Sequence, residues 1–183
     1  MCRQKTNRRL FKLKQFSRLI QVRTATVADI PLINQLGEQA FYPTYLPFIS
    51  AEQVEYMFHK MYDADALLQQ MKERGDIFLV AFENELPLGF AAYQLNQAPS
   101  QTKLHKLYVL PDIQAKSVGK TLLHAVEDNA RAAGEESLLL NVNRYNKAVG
   151  FYKHLGYSIF KEEDIDIGNG YFMNDYEMKK SLK

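Results

Sequence analysis

The stretch "LYVLPDIQAKSVGKTLL", Leu107 to Leu123, runs from an apolar, strand-like segment through Pro111 into a basic turn and out into a helical repeat. Two kinds of phosphate cradle end this way. The nucleotide P-loop, G-x-x-x-x-G-K-[ST], matches Gly119-Lys120-Thr121, but Gln114 stands where its first glycine lets the backbone approach a phosphate. Only 62 residues follow Thr121, and the next apolar strand, "LLLNV", carries Asn where a magnesium-binding Asp is wanted. The second kind is a strand-to-helix turn with small side chains at Ala115, Ser117 and Gly119. There, N–H groups at a helix start and the helix dipole converge on a pyrophosphate, with Lys116 and Lys120 adding charge. A purely structural turn with solvated lysines is the third reading.

The rest of the chain narrows the choice. At 183 residues, 46% hydrophobic and 24% charged, it suits one globular domain. Its apolar runs fall far short of the roughly 20 residues that span a bilayer, so no membrane partner is expected. The single cysteine, Cys2, excludes an internal disulfide framework and makes a reducing, cytoplasmic setting the expectation. The net charge of +2 hides an asymmetry: residues 1–20 carry seven Lys or Arg and no acid, and without them 16 basic residues face 21 acidic ones, a net of −5. Residues 1–20 therefore read as a basic, flexible extension and 21–183 as the domain. An acidic body disfavours non-specific nucleic-acid binding.

Along the chain, "LIQVRTAT" reads as a strand, and Ile30, Ile33, Leu36 and Phe41 set a helix that Thr26 or Asp29 caps. "FYPTYLPF" breaks that helix at its prolines, and Ser50, with Gln53 three residues on, starts another. A further turn or two of helix covers Asp63–Lys72, closed by Gly75. "DIFLVAFENELPLGFAAYQLN" gives two strands turning near Asn84-Glu85, and "TKLHKLYVL" gives a third. Val118, Leu122, Val126, Ala130 and Ala133 then mark a helix ending at Gly134. "SLLLNVN", a short helix over Asn146–Leu155, "YSIFKEED" and "YFMNDYEMKK" complete the order β-α-α-β-β-β-α-β-α-β-β. This is a mixed α/β domain with a ligand expected where the strand feeds the helix after the opening turn.

With the turn at Gln114–Gly119 and the run "NRYNKAVGFYKHLGY" from Asn143, the sequence resembles the GNAT superfamily of N-acetyltransferases. The first segment is similar to the family's strand followed by [QR]-x-x-G-x-[GA], with Ser117 in place of the first glycine. The second is similar to N-x-x-A-x-x-F-Y-x-x-x-G-[FY]. "FYPTY", "HKLYV" and the ending "GNGYFMNDYEMKKSL" look most like the bacterial polyamine (spermidine/spermine) N-acetyltransferase group. The resemblance covers residues 20–183. It implies a single domain with a central, splayed, mostly antiparallel sheet of about seven strands, flanked by helices on both faces. It also implies acetyl-CoA as co-substrate, its pantetheine arm along Leu107, Tyr108 and Val109. The pyrophosphate would rest on Gln114, Ala115, Lys116, Ser117, Val118, Gly119 and Lys120, and Asn146 would touch CoA.

Direct transfer from a thioester to an amine requires loss of the amine's proton, stabilisation of an oxyanion, and a proton for the departing thiolate. The resemblance puts Tyr152 in the last role, and an unperturbed phenol of pKa about 10 keeps its proton at pH 7. The alternative is that Tyr152 only packs helix on sheet. The Val109 N–H could polarise the thioester carbonyl. His105, on the strand before Leu107, is the candidate base, or else a strand histidine in a structural hydrogen bond. His59, His124 and His154 read as ordinary surface or boundary residues, and no zinc-like spacing is present. Tyr42, Thr44 and Tyr45 form the expected acceptor wall, suited to a cationic small-molecule or peptide amine. Glu162, Glu163 and Asp164 either draw such a cation or form a solvated edge. A non-catalytic acyl-CoA-binding module of the same fold and, more distantly, a P-loop NTPase are the competing functions, and a homodimer is compatible with the terminal edge strands.

Overall fold

A computed structural model describes residues 19–183, with the side chains of residues 114–116 outside that description. The expected basic extension lies outside the described residues up to position 18, and Ile20 already opens the first strand. The elements are β1 (Ile20–Thr24), α1 (Ile30–Tyr45), α2 (Ala51–Tyr62), α3 (Ala64–Lys72), β2 (Ile77–Glu83), β3 (Leu86–Ala98), β4 (Gln101–Val109), α4 (Val118–Ala132), β5 (Ser137–Asn143), α5 (Ala148–His154), β6 (Ser158–Gly168) and β7 (Tyr171–Ser181). The turn or two expected after Asp63 is a helix of its own, α3, added to the predicted order.

Period-two alternation sorts the strand residues onto two faces. Leu79, Ala81, Ala91, Leu138 and Leu140 bury one face against Leu122, Leu123, Val126 and Ala130 of α4. Phe78, Val80, Phe90 and Ala92 bury the other against Ile33 and Phe41 of α1 and Phe58 and Tyr62 of α2. Burying each Leu or Phe is worth roughly 1.5–3 kcal/mol, so the two layers hold the sheet from both sides. Ala133, read as part of the apolar stripe of α4, is exposed at the helix end, and Leu123 takes the buried place.

The sheet order is β1-β2-β3-β4-β5-β7-β6. Every pair is antiparallel except β4 with β5, joined through α4 by the expected crossover. That parallel pairing is short: Gln101–Leu104 match Ser137–Leu140, and no pairing follows. On its other side β4 carries a bulge, because Ala92 faces Lys106 while Tyr93 faces Leu104, leaving His105 as the extra residue. A bulge bends its strand and increases its twist. Here it turns the second half of β4 away from β5.

The helix that the prolines were expected to break continues through Pro43 to Tyr45. Pro43 gives up one backbone hydrogen bond, at a cost of about 3 kcal/mol. Against that, Thr44 Oγ1 donates to the Ala40 carbonyl at 2.7 Å and the Leu46 N–H to the Tyr42 carbonyl at 3.0 Å. Phe41 is fully buried, its ring 5.5 Å from Tyr62 and 6.0 Å from Phe58. Ser50 then caps α2 by accepting from the Gln53 N–H at 3.2 Å, as its spacing predicts. Among the described residues no helix is long and apolar enough to cross a membrane.

Gly89 sets how closely β3 approaches β4. A Cβ there would lie 2.4 Å from the Tyr108 carbonyl oxygen and 3.0 Å from Val109 Cα. Neither is a flexible side-chain end, so the strand itself would have to move. Gly89→Ala is expected to destabilise the fold by about 1–3 kcal/mol, as overpacking does, seen as a lowered thermal midpoint. An unchanged midpoint would show that β4 is free to shift.

Candidate functional site

Where β4 and β5 part, a cavity of about 590 Å³ opens between them. Leu107 and Val109 of β4 and Leu140 and Val142 of β5 line its sides. Leu107, Tyr108 and Val109 pair with Ala91, Phe90 and Gly89 of β3, so one edge of their backbone is satisfied. The other edge faces the cleft, and groups of this kind take a hydrogen-bonding ligand when one enters. The side chains divide: Leu107 and Val109 point to the α4 side, Tyr108 to the α1 side.

The N-terminus of α4 closes one end. Its first helical bond is Thr121 N–H to the Ser117 carbonyl at 2.9 Å, which leaves the N–H groups of Val118, Gly119 and Lys120 without intrahelical partners. Ser117, Gly119 and Lys120 line the cavity. A Cβ on Gly119 would make only ordinary contacts of 3.6 Å with Phe151 and Val109. The protein therefore has room there that it does not fill. Ser117 takes a left-handed backbone, φ 62° and ψ 11°, which favours the glycine it replaces. The side chains of Gln114, Ala115 and Lys116, three of the expected pyrophosphate residues, lie outside the described residues.

The short helix α5 brings Asn146 and Tyr152 to the same cavity. Asn146 Oδ1 accepts from the Ala148 N–H at 2.8 Å, a turn one residue ahead of Lys147, the N-cap of α5. Tyr152 is buried between Phe151 and Tyr157, with ring centroids at 5.2 and 5.7 Å. Among the described residues its hydroxyl has no hydrogen-bond partner. Burial, and secondarily the nearby Tyr45, hold its pKa well above the ordinary phenol value, so it is protonated at neutral pH.

On the α1 side, the continuation of α1 past Pro43 carries Thr44 and Tyr45 to the cavity wall. The Tyr45 and Tyr108 hydroxyls lie 3.2 Å apart. Burial, with a smaller contribution from Asp175, pushes the Tyr45 phenol up to about 12. Tyr42, the third residue expected in that wall, turns instead to α2, where its hydroxyl donates to Glu55 Oε2 at 2.6 Å.

His105, on the bulge, lines the cavity, and its buried Nε2 lies 3.9 Å from Asp76 Oδ1, beyond hydrogen-bond range. Burial, reinforced by the cations Lys106, Arg74 and Lys103, pulls its pKa down to about 4. Lys106, next to it on the bulge, also lines the cavity and is buried: Nζ donates to Gln70 Oε1 at 2.7 Å and sits 5.4 Å from the centre of the Tyr62 ring. His59 is exposed between Glu55 and Asp63 at 2.9 Å each, and His154 lies on the cavity rim. Among the described residues no group of three or more His, Cys, Asp or Glu could hold a metal ion.

The acidic run on β6 is held by the protein's own cations. Arg144 pairs with Glu162 and Asp164, and Lys161 with Glu163. Next to it stands a carboxylate that sequence reading passed over. Asp175 of β7 is 6% exposed, its Oδ1 has no partner, and burial pushes its pKa up to about 6. The signal for it was two residues away, since alternation on β7 puts position 175 on the same face as the buried Met173.

A splayed parallel pair, a bulge and a helix start aimed into the gap define an acyl-CoA-type transferase fold, and comparison with known proteins agrees. The pattern of the "Acetyltransferase (GNAT) domain" family matches residues 45–180, and the chain belongs to this family. It is similar to the spermidine N(1)-acetyltransferase of Thermoplasma acidophilum, 28% identical over 159 residues that make up 84% of this chain and 95% of that one. Among solved structures it is similar to the PaiA N-acetyltransferase of T. acidophilum in complex with coenzyme A. That likeness has a TM-score of 0.75 and 25% identity, over 89% of this chain and 99% of that one. The ribosomal-protein-S18-alanine N-acetyltransferase of Escherichia coli shares the fold, with a TM-score of 0.68 and 17% identity over 90% and 94% of the two chains. The protein is an acetyltransferase, and the P-loop reading of its opening turn has no support.

Ser117→Gly should relieve left-handed strain of roughly 1–2 kcal/mol, partly offset by the greater freedom of glycine in the unfolded chain. The expected result is a small rise in thermal midpoint without CoA. A fall would mean that the serine hydroxyl holds the turn.

Proposed function

We propose that this acetyltransferase moves the acetyl group of acetyl-CoA directly to the primary amine of a small cationic acceptor of the polyamine kind. The observation that carries the reading is the two-sided cleft. From the α4 side it offers unpaired backbone and three N–H groups without intrahelical partners, which suit a pantetheine arm and a pyrophosphate. From the α1 side it offers the hydroxyls of Tyr45 and Tyr108, which suit an ammonium group. The likeness to a spermidine N(1)-acetyltransferase supports the acceptor class.

Leu107, Tyr108 and Val109 would hold the pantetheine amides through their free backbone edge, with the Val109 N–H directed at the thioester carbonyl. Val118, Gly119 and Lys120 would bind the pyrophosphate, and Asn146 would hold CoA beside α5. Tyr152, protonated and unpartnered, would give its proton to the departing thiolate. His105 enters as a neutral hydrogen-bonding group of the bulge, because a group at about 4 binds a proton only weakly at pH 7.

Acetyl-CoA consumption measured across polyamines, amino acids, aminoglycosides and peptide N-termini tests the reading. Turnover is expected with polyamines. If no amine turns over while CoA still raises the thermal midpoint, the non-catalytic binding module replaces it. Tyr152→Phe should lower kcat by about 10²–10⁴-fold with little change in CoA affinity, and an undiminished kcat would remove the tyrosine from the proton path. His105→Ala is expected to leave the acid limb of the pH–rate profile in place, and a shifted limb would make the imidazole the base.

A further inference from the structure

At the bulge of β4 two unsatisfied polar groups face each other. Asp76, just before β2, is 4% exposed, and neither of its carboxylate oxygens has a hydrogen-bond partner. His105 Nε2 is buried and equally without one, and it lies 3.9 Å from Asp76 Oδ1. Buried groups left unpaired cost about 1–3 kcal/mol each, and closing this gap by about 1 Å would pair both. The corner is tied together on its other sides. The Asp76 N–H donates to the Gln70 carbonyl at 2.9 Å, and the Gln70 side chain holds Lys106, beside His105, at 2.7 Å.

The surroundings decide which atom does what. Arg74 Nη2 lies 3.7 Å from Oδ2, so Oδ1 is the oxygen left for the imidazole. Burial pushes the Asp76 carboxyl up and Arg74 and Lys106 oppose it, and with two cations beside it the corner is balanced by the ionised form. A carboxylate only accepts hydrogen bonds, so Nε2 must be the donor. Burial, then Lys106, Arg74 and Lys103, pull His105 down to about 4, so at pH 7 the ring is neutral and one nitrogen keeps a lone pair. His105 lines the cavity with 20% of its side chain exposed, and because Nε2 is buried, Nδ1 is the polar atom that remains for the cavity.

We propose that Asp76 is a positioning residue that holds His105 in its Nε2–H form, so that Nδ1 accepts an N–H of the acceptor amine and aims the amine's lone pair at the thioester carbon. This rests on the transfer reaction proposed above. The hydrogen bond made by one imidazole nitrogen sets the state of the other. In the opposite form Nδ1 would donate to the amine's lone pair and hold it away from the carbon. His105 takes no proton in the step; it contributes the hydrogen bond alone.

Long-range ¹H–¹⁵N NMR of the full chain, labelled in histidine, reads the ring state, the His105 signals being those that vanish in His105→Gln. Wild type is expected to show Nε2 protonated and Nδ1 bare at pH 7. Asp76→Asn, whose amide donates as well as accepts, should lose that single form. With whichever panel amine turns over fastest, Asp76→Asn should lower kcat/KM roughly 10- to 100-fold, chiefly through kcat, because the amine still binds with its lone pair turned away. CoA affinity should hold. In a His105→Gln background the same substitution should cause no further loss, since it acts through the imidazole. A wild-type His105 protonated at Nδ1, or charged at pH 7, overturns the inference, and this reading requires neither turnover nor a folded Asp76 variant. An equal loss with and without the imidazole overturns it too, and makes Asp76 a structural counter-ion of Arg74 and Lys106. Full activity in Asp76→Asn also overturns it while leaving the transfer reaction standing. Absence of turnover in wild type with every amine removes the transfer reaction, and with it the acceptor's place at Nδ1, whatever the ring state.

Discussion

Beyond Leu104 and Leu140, β4 and β5 no longer hydrogen-bond each other, although both remain in one sheet. Each buried backbone group left without a partner costs about 1–3 kcal/mol, so an internal parting of strands persists only where something holds it open. The bulge at His105 does so by bending β4, and Gly89 does so by letting β3 follow that bend at a distance no Cβ would permit. The consequence is a backbone edge already parted from its neighbour before any ligand arrives. A ligand with alternating amide donors and acceptors recovers hydrogen bonds that the sheet gave up, which is the physical basis of binding an extended chain as a strand.

The same bulge divides labour between the two faces. One extra residue resets the alternation, so Leu104 and Leu107 share the α4 face though they are three apart, and Lys106 and Tyr108 turn to the α1 face. Beyond the bulge, the α4 side is apolar wall and helix N-terminus, and the α1 side is tyrosine hydroxyl and buried charge. On the proposed reaction, donor and acceptor would approach one carbon from these opposite sides without competing for space. Pro43 belongs to this arrangement: a helix that stopped there would leave the α1 side without Tyr45.

The legible parts of the sequence were those set by local chemistry. Strand alternation, the Ser50 cap, the turns at Asn84 and Gly75, and the strand-helix-strand unit around Gln114–Gly119 all depend on neighbours within a few residues. The family resemblance drew on the same kind of signal, since a phosphate-binding turn is itself local, and even the Ser117 substitution falls on a backbone angle that glycine adopts freely. Pro43 was misjudged because its cost is local while its compensation, the packing of Phe41 against α2, is not. Asp175 was invisible for a similar reason. In "MNDYEMKK" it looks like one more polar residue of a solvated strand, and only pairing with β5 and β6 buries it. Tyr42 and Tyr45, three residues apart on one helix, could not be sorted by spacing alone; α2 claims one and β4 the other.

Buried charge on the α1 side has a further consequence for stability. The Asp175 pKa is raised to about 6, so its burial cost appears as pH rises through that value. Lys106 behaves in the opposite sense. Burial pulls it down to about 8, with Asp76 partly offsetting the shift, so its cost is present at low pH and fades as pH rises through 8 and beyond. Between about 6 and 8 the protein carries both charges ionised. A core built for stability alone would place apolar side chains at both positions, since replacing buried charge in this way is often neutral or stabilising.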